Sequence, residues 1–307
     1  MKKILYIGLL VSGLFLVFSC AQQNHKASQD KGPHLASKFL ELTMTCEDDP
    51  VLTQVRRELS ERESVLDLML YYMKELEENA DPDSPYLKRL DRLFECGRTP
   101  EKMQGYFYGI TLVLKMGDQP YGDFLNRLWS RTLADVSPWA GKMFSPISPE
   151  DLEYYTGGYE SAAIPTFFGI NCFKKYDESF LNLASIQVLN FWLRLEQGSK
   201  EEKRLYGCDK KGGLFIARKT ATVNTTKDRE QVFQLNYRWK NLGNPPPIRF
   251  LVDEMVEIAD GLYLGRLLLA TQHLFEDFDP QRPDSYYGYE NFGYFLLLNQ
   301  SWHEVQQ

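Results

Sequence analysis

Four acidic residues and Arg266 interrupt an apolar stretch near the C-terminus, where carboxylates could perform acid–base chemistry. The stretch covers residues 249–270 and reads RFLVDEMVEIADGLYLGRLLLA. Side chains alternate between the two faces of a strand, so Asp253 and Glu254 point in opposite directions. Asp253 and Glu257 share a face but lie roughly 13 Å apart. Glycosidase carboxylates are about 5–9.5 Å apart, so the spacing excludes such a catalytic pair.

The same stretch predicts a β-hairpin that carries an internal ion pair. The ADG sequence at 259–261 is a turn signal, and a three-residue loop with a left-handed Gly261 sets Ile258 opposite Leu262. A two-residue turn would instead place Glu254 against Leu267. The three-residue loop is favoured because it brings Glu254 opposite Arg266. It also pairs Val256 with Leu264, Val252 with Leu268 and Phe250 with Ala270.

The Glu254–Arg266 pair has two interpretations. In the structural one, the two charges satisfy each other and fix the register of the hairpin. In the functional one, Phe250, Glu254 and Arg266 face a barrel lumen and the ion pair binds the polar group of an otherwise apolar ligand. The aromatic side chains of Tyr237 and Trp139 are then further ligand contacts.

The N-terminus has the pattern of a bacterial lipoprotein signal. Lys2 and Lys3 precede fifteen residues without charge, and Cys20 follows Ser19. This pattern predicts a secretory signal peptide at 1–19. The VFSC sequence resembles the lipoprotein cleavage box, which implies that Cys20 becomes the lipidated first residue of the mature chain. Its acyl chains, palmitate among them, would hold the protein on a bilayer. The alternative is an uncleaved N-terminal anchor helix.

The residue after the modified cysteine bears on the membrane that receives the protein. Ala21 occupies that position. By analogy with known sorting rules, it favours the outer membrane over the inner one. The sequence therefore predicts a protein of the bacterial cell envelope, lipid-anchored to the outer membrane and facing the periplasm.

The other four cysteines predict disulfide bonds, because an exported chain matures in an oxidising compartment. Four cysteines allow three connectivities. The most local arrangement, Cys46–Cys96 with Cys172–Cys208, is favoured. The spacings of these cysteines do not match a zinc site.

The rest of the chain predicts an α+β fold. Residues 20–36 are polar and aperiodic, as in a flexible tether. Residues 37–97 carry apolar side chains at helical spacing and end at Gly97, which predicts a helical region. Residues 98–307 predict a domain that is an antiparallel β-barrel, with a β-sandwich as second choice. Strands are predicted at 106–116, 163–173, 183–195, 213–223, 231–239, 249–270 and 294–302.

Composition and motifs exclude several function classes. The net charge is −7 and no basic run is present, which argues against nucleic acid as a partner. The chain lacks the GxSxG elbow of serine hydrolases and the glycine-rich loops that bind nucleotides. His273 lies near Glu276, Asp277 and Asp279 in a segment that predicts a solvated acidic loop. No metal and no cofactor are expected.

Two segments resemble a group of bacterial and fungal proteins of unknown activity. Residues 233–271 contain VDEMVEIADGLYLG, which is similar to that group's R-D-E-(I/L)-R-E-V-x-x-G-L-Y-L-G hairpin, with Val252 in place of the leading Arg. Residues 138–144, PWAGKMF, match its W-x-G-K-x-F segment at Trp139, Gly141, Lys142 and Phe144. The resemblance covers about residues 100–302. It implies a calycin-like or lipocalin-like barrel.

These observations together predict a membrane-anchored periplasmic lipoprotein. Its β-barrel would bind a small hydrophobic or lipidic ligand, and the acylated Cys20 would contact the lipid bilayer. Two alternatives stay open: an envelope lipoprotein with an interaction or structural role, and an enzyme that acts on a lipidic substrate.

Overall fold

The computed structural model describes residues 38–47, 49–78, 81, 83–114, 139–174, 194–224 and 230–306 of the 307-residue chain. The predicted signal peptide, the tether, Cys20 and residues 183–193 of a predicted strand lie outside these residues. Among the described segments, no helix combines the length and the apolar character needed to cross a membrane.

In the described residues, three α-helices precede the first strand. They are α1 (Pro50–Leu59), α2 (Val65–Glu78) and α3 (Pro85–Cys96). Asp49 and Ser84 cap α1 and α3, because their side chains accept hydrogen bonds from backbone N–H groups of the first turn. A proline follows each cap, where its missing N–H costs no helical hydrogen bond. Helix α3 ends at Cys96 with Gly97 as its C-cap, and the sequence predicts a stop at this glycine.

The strands of the described residues form one antiparallel sheet that closes on itself. They are β1 (Gly105–Leu114), β2 (Trp139–Pro146), β3 (Thr166–Phe173), β4 (Glu196–Gln197), β5 (Lys210–Ala221), β6 (Gln231–Asn236), β7 (Leu251–Ala259), β8 (Leu262–Ala270) and β9 (Tyr289–Leu298). The sheet has nine strands in the order β3-β2-β1-β9-β8-β7-β6-β5-β4, and β3 also pairs with β5.

The β3–β5 pairing joins eight of the nine strands in a barrel, with the two-residue β4 added beside β5. The predicted antiparallel barrel is therefore confirmed. The β-sandwich is wrong, because a sandwich would leave β3 and β5 as separate edges. Strand β9 ends at Leu298, earlier than predicted, because α6 begins at Gln300.

Short helices lie between the strands and after the last one. Those between strands are α4 (Pro149–Thr156) and α5 (Lys200–Tyr206), together with 3-10 helices at Lys240–Leu242, Ile248–Phe250 and Asp284–Tyr286, and α6 (Gln300–Gln306) follows β9. Helix α5 begins with a capping box between Ser199 and Glu202.

The β7–β8 hairpin has the predicted register along most of its length. Glu254 pairs with Arg266, and the two neighbouring apolar pairs are also as predicted. The closure differs, since Ala259 and not Ile258 pairs with Leu262. A bulge between Glu257 and Ala259 shifts the register by one residue, and a two-residue turn ending in Gly261 (φ 76°) closes the hairpin.

The predicted pairing of Phe250 with Ala270 is wrong. Phe250 belongs to the 3-10 helix that precedes β7, and Ala270 pairs with Tyr289 of β9. Strand β7 therefore starts one residue later than the hairpin pattern suggests.

The two faces of the barrel pack against different partners. All eight barrel strands send apolar side chains into the lumen, including Phe107, Phe144, Phe167, Phe215, Phe233, Met255, Leu269 and Phe295. The outer face of β7, β8 and β9 packs against helices α1 to α3 through residues such as Val256, Leu264 and Leu296. Two separate cores therefore lie on the two sides of the same strands.

The two disulfide bonds have the predicted local connectivity. Cys46 is bonded to Cys96 and Cys172 to Cys208, each with a Cα–Cα distance of 5.2 Å. The first ties residue 46 to the end of α3, and the second ties the end of β3 to the start of β5.

Glycines make room for aromatic rings in the lumen. Gly169 lies opposite Phe215 across β3 and β5, and Gly265 lies opposite Phe295 across β8 and β9. A Cβ atom on Gly169 would lie 1.9 Å from the Phe215 ring, and one on Gly265 would lie 2.2 Å from the Phe295 ring. Each ring covers the glycine of its neighbouring strand.

We expect Gly169→Ala to lower the free energy of unfolding by about 1–3 kcal/mol, because the added methyl group overpacks the lumen. Urea unfolding followed by circular dichroism would measure the change. The same substitution should cost much less in a Phe215→Leu background, where the ring is gone. Equal costs in both backgrounds would contradict this packing.

Candidate functional site

A lysine and an aspartate meet inside the aromatic lumen. Lys142 lies on β2 and Asp253 on β7, and the Nζ–Oδ2 distance is 3.0 Å. Their side chains are only 4% and 2% exposed. Lys142 shares its strand face with Phe144, and Asp253 shares its face with Met255, which places both charges among lumen side chains.

Tyr237 and Asn171 complete the hydrogen bonding of the lysine. Lys142 Nζ donates to Asn171 Oδ1 and to Tyr237 Oη, both at 2.6 Å. Tyr237 Oη in turn donates to Asp253 Oδ2 at 2.8 Å. Three acceptors therefore surround the ammonium group, which matches its three N–H donors.

The asparagine is held in place by two further contacts. Its Nδ2 donates to the carbonyl oxygen of Gly213 at 2.9 Å, and its Oδ1 accepts from Trp139 Nε1 at 3.2 Å. These bonds orient the Asn171 carbonyl oxygen towards Lys142. We refer to Trp139, Lys142, Asn171, Tyr237 and Asp253 as the lumen cluster.

One oxygen of the lumen cluster has no partner. Asp253 Oδ1 is buried and accepts no hydrogen bond from any described residue. A buried acceptor without a donor costs roughly 1–3 kcal/mol, and more when the group is charged. This oxygen is the position at which the cluster can accept a hydrogen bond from another molecule.

Aromatic rings surround the lysine. The ring centroids of Trp139, Phe215, Tyr237 and Phe295 lie 5.2–5.4 Å from Nζ. At this distance the negative faces of the rings attract a cation. Trp139 is half-buried, whereas the other three are buried.

Burial shifts the pKa of two members of the lumen cluster. It lowers the pKa of Lys142, an effect that the charge of Asp253 opposes. It raises the pKa of Tyr237 well above the usual range, and the adjacent Asp253 carboxylate adds to the rise. Tyr237 therefore stays protonated and can donate its hydrogen bond to Asp253 Oδ2.

Glu254 and Arg266 form their ion pair on the outer face, so the prediction that they face the lumen is wrong. Arg266 Nη2 lies 2.6 Å from Glu254 Oε2. The guanidinium carbon lies 4.3 Å from the ring centre of Phe94 on α3. The helical layer buries this face, so a charged pair can be buried there without lying in the lumen.

The two residues that follow β5 also cover the outer ion pair. The Glu254 carboxylate accepts hydrogen bonds from Val223 N at 2.7 Å and from Thr222 Oγ1 at 2.9 Å. Phe250, the third residue expected in the lumen, packs against the edge of the lumen core.

Sequence reasoning placed Tyr237 and Trp139 at the site but missed Lys142, Asn171 and Asp253. A signal was present for Asp253, which alternates with the apolar Leu251 and Met255. Lys142 likewise alternates with Ala140 and Phe144. What the pattern could not supply was the partner of each charge, since β2 and β7 are not adjacent in the barrel.

Comparison of the chain with models of protein families, with curated proteins and with solved structures found no match. The resemblance of its two segments to a calycin-like group stays a prediction. In the described part of the chain, no group of three or more His, Cys, Asp or Glu side chains could hold a metal ion.

We expect Lys142→Met and Asp253→Leu each to lower the free energy of unfolding by about 3–5 kcal/mol, because each leaves one buried charge without its partner. The double variant should lose clearly less than the sum, since it buries no charge. Urea unfolding of the four proteins would measure this coupling. Strictly additive losses would show that the two side chains do not interact.

Proposed function

We propose that the protein is an exported lipoprotein whose barrel binds a small hydrophobic or lipidic ligand at the lumen cluster. Its acylated Cys20 would anchor it to the outer membrane on the periplasmic side. We also propose that the barrel is of the calycin-like type. Eight antiparallel strands in an almost sequential order, with β9 paired to β1, support that assignment.

The observation that carries the ligand proposal is the free oxygen of Asp253 in an aromatic surrounding. A ligand hydroxyl or N–H group would donate a hydrogen bond to Oδ1, and the apolar body of the ligand would pack on the rings. Ligand sites commonly combine a mainly apolar lining with a few polar groups that fix orientation.

Binding requires rearrangement of aromatic side chains. Phe144 and Phe215 have ring centres 5.4 Å apart, and Trp139 and Phe295 have ring centres 5.5 Å apart. A ligand must therefore replace some of these ring contacts. The half-buried Trp139 is the member of the lumen cluster best placed to move, because part of its surface already faces solvent.

Two neighbouring carboxylates on β7 provide a matched test. Asp253→Asn alters the lumen pair, and Glu254→Gln alters the outer pair, each with almost no change in shape. We expect Asp253→Asn to reduce the co-purified ligand about tenfold or more, because a hydrogen bond to a charged group contributes about 1.5–3 kcal/mol. Glu254→Gln should retain the ligand at the wild-type level.

The measurement is native mass spectrometry combined with solvent extraction of the purified proteins. Circular dichroism of each variant establishes that only folded protein is compared. Equal ligand content in both variants, or no ligand in the wild-type protein, would count against binding at the lumen cluster.

Lipid attachment has a separate test. In a bacterial host grown with labelled palmitate, the wild-type chain should carry the label and fractionate with membranes. Cys20→Ser should lose the label, because the thiol that carries the diacylglyceryl group is absent. Label retained on the Cys20→Ser protein would refute acylation at this residue.

A second candidate is an envelope lipoprotein with an interaction or structural role. The filled lumen favours it, since the rings of Phe107, Phe144, Phe215 and Tyr237 follow one another in contact. In this case the Lys142–Asp253 pair specifies how the barrel packs. Two results together would favour this candidate. The wild-type protein would yield no extractable ligand, and Asp253→Asn and Glu254→Gln would lose the same amount of stability.

A further inference from the structure

A small cavity lies near the start of β7, at the end of the barrel opposite the β7–β8 turn. Its volume is about 20 Å³, and it is lined by Arg238, Arg249, Phe250, Gln272, Phe278 and Tyr287 among others. The volume holds about one water-sized atom, so a ligand would place only its polar end in the cavity and the rest at its mouth. Arg238 follows Tyr237 directly, yet its side chain contacts Asn236, Phe278 and Tyr289 and not the lumen cluster.

Arg238 brings a buried positive charge to this cavity. Its side chain is only 5% exposed. Nε donates to Asn236 Oδ1 at 3.1 Å, and Nη1 donates to the hydroxyl oxygen of Tyr289. The other terminal nitrogen, Nη2, makes no hydrogen bond to the residues that the structure describes. The guanidinium carbon lies 3.8 Å from the ring centre of Phe278.

The carboxylate nearest to Arg238 is a weak partner. Asp284 Oδ1 lies 3.6 Å from Nη1, beyond ordinary hydrogen-bond distance. Burial lowers the pKa of Arg238 to about 10 and raises the pKa of Asp284. Glu254 and Glu160 also stabilise the charge of Arg238, but among the described residues Asp284 is its ion-pair partner, at 3.6 Å, so an added anion can approach the guanidinium group more closely.

The remaining polar groups of the wall include two further donors. Arg249 is 31% exposed, and its Nη1 lies 3.7 Å from Asp277, which already accepts from Lys240 Nζ at 2.8 Å. Gln272 contributes a side-chain amide. Two guanidinium groups and an amide therefore line one small space between aromatic walls. The Glu276 carboxylate also lines it, and this carboxylate already accepts a hydrogen bond from Tyr286 Oη at 2.9 Å.

We propose that this cavity binds the carboxylate of a small organic acid. A planar carboxylate fits the donor geometry of guanidinium groups, which bind it through two parallel hydrogen bonds. Phe250, Phe278 and Tyr287 would contact the apolar part of the acid. Inorganic phosphate has no apolar part and would gain none of these aromatic contacts.

The test is a titration of the purified protein with acetate, benzoate and inorganic phosphate, followed by NMR or calorimetry. Benzoate should bind saturably and more tightly than phosphate. Arg249→Gln and Gln272→Glu should each weaken benzoate binding about tenfold or more, because one removes a donor charge and the other adds a repelling carboxylate. Arg249 is partly exposed and Gln272 is exposed, so these variants should fold.

Two control variants separate this site from the lumen. Arg57→Gln, on the exposed side of α1, and Asp253→Asn, in the lumen, should bind benzoate like the wild-type protein. Unchanged benzoate affinity in both cavity variants would overturn the proposal. So would phosphate binding as tight as benzoate binding, or the absence of saturable binding to the wild-type protein.

Discussion

Two neighbouring carboxylates buried on opposite faces of β7 constrain the whole structure. Asp253 pairs with Lys142 across the lumen, whereas Glu254 pairs with Arg266 on the outer face. A buried charge without its partner is strongly destabilising. A shift of β7 by one residue would exchange the two faces and separate both pairs. The strand register, the closure of the barrel and the docking of the helical layer therefore depend on each other.

The outer pair belongs to a row of polar side chains that crosses five strands. Arg218, Gln234, Glu254, Arg266 and Tyr294 are successive cross-strand partners from β5 to β9. The row ends at Glu160, which pairs with Arg218, and at Asp91 of α3, which accepts from Tyr294. Burial raises the pKa of both Glu160 and Tyr294. Through its two ends, the row ties the sheet to the segment between α4 and β3 and to the N-terminal helices. Hydrogen bonds and ion pairs therefore add to the apolar packing between these parts.

The lumen shows how a barrel core can be both filled and polar. Aromatic rings occupy it, and Gly169 and Gly265 permit the rings to lie flat across neighbouring strands. A lysine within this core is stable because three acceptors satisfy its donors and four rings surround its charge. The donors of Lys142 all have acceptors, whereas one oxygen of Asp253 has no donor. This unpartnered oxygen makes the lumen cluster the best candidate site.

The sequence alone determined the features that depend on local pattern. Alternation and turn residues predicted the central register of the β7–β8 hairpin. Apolar residues at helical spacing predicted a helical region that stops at Gly97. The short separations between cysteines favoured the correct disulfides. The tertiary structure alone decided which face of β7 encloses the lumen. Alternation shows that Asp253 and Glu254 diverge, but both faces of this strand are buried, one by the barrel and one by helices. Only closure through β3 and β5 brings Lys142 to Asp253, since the two residues lie 111 positions apart on strands that never pair.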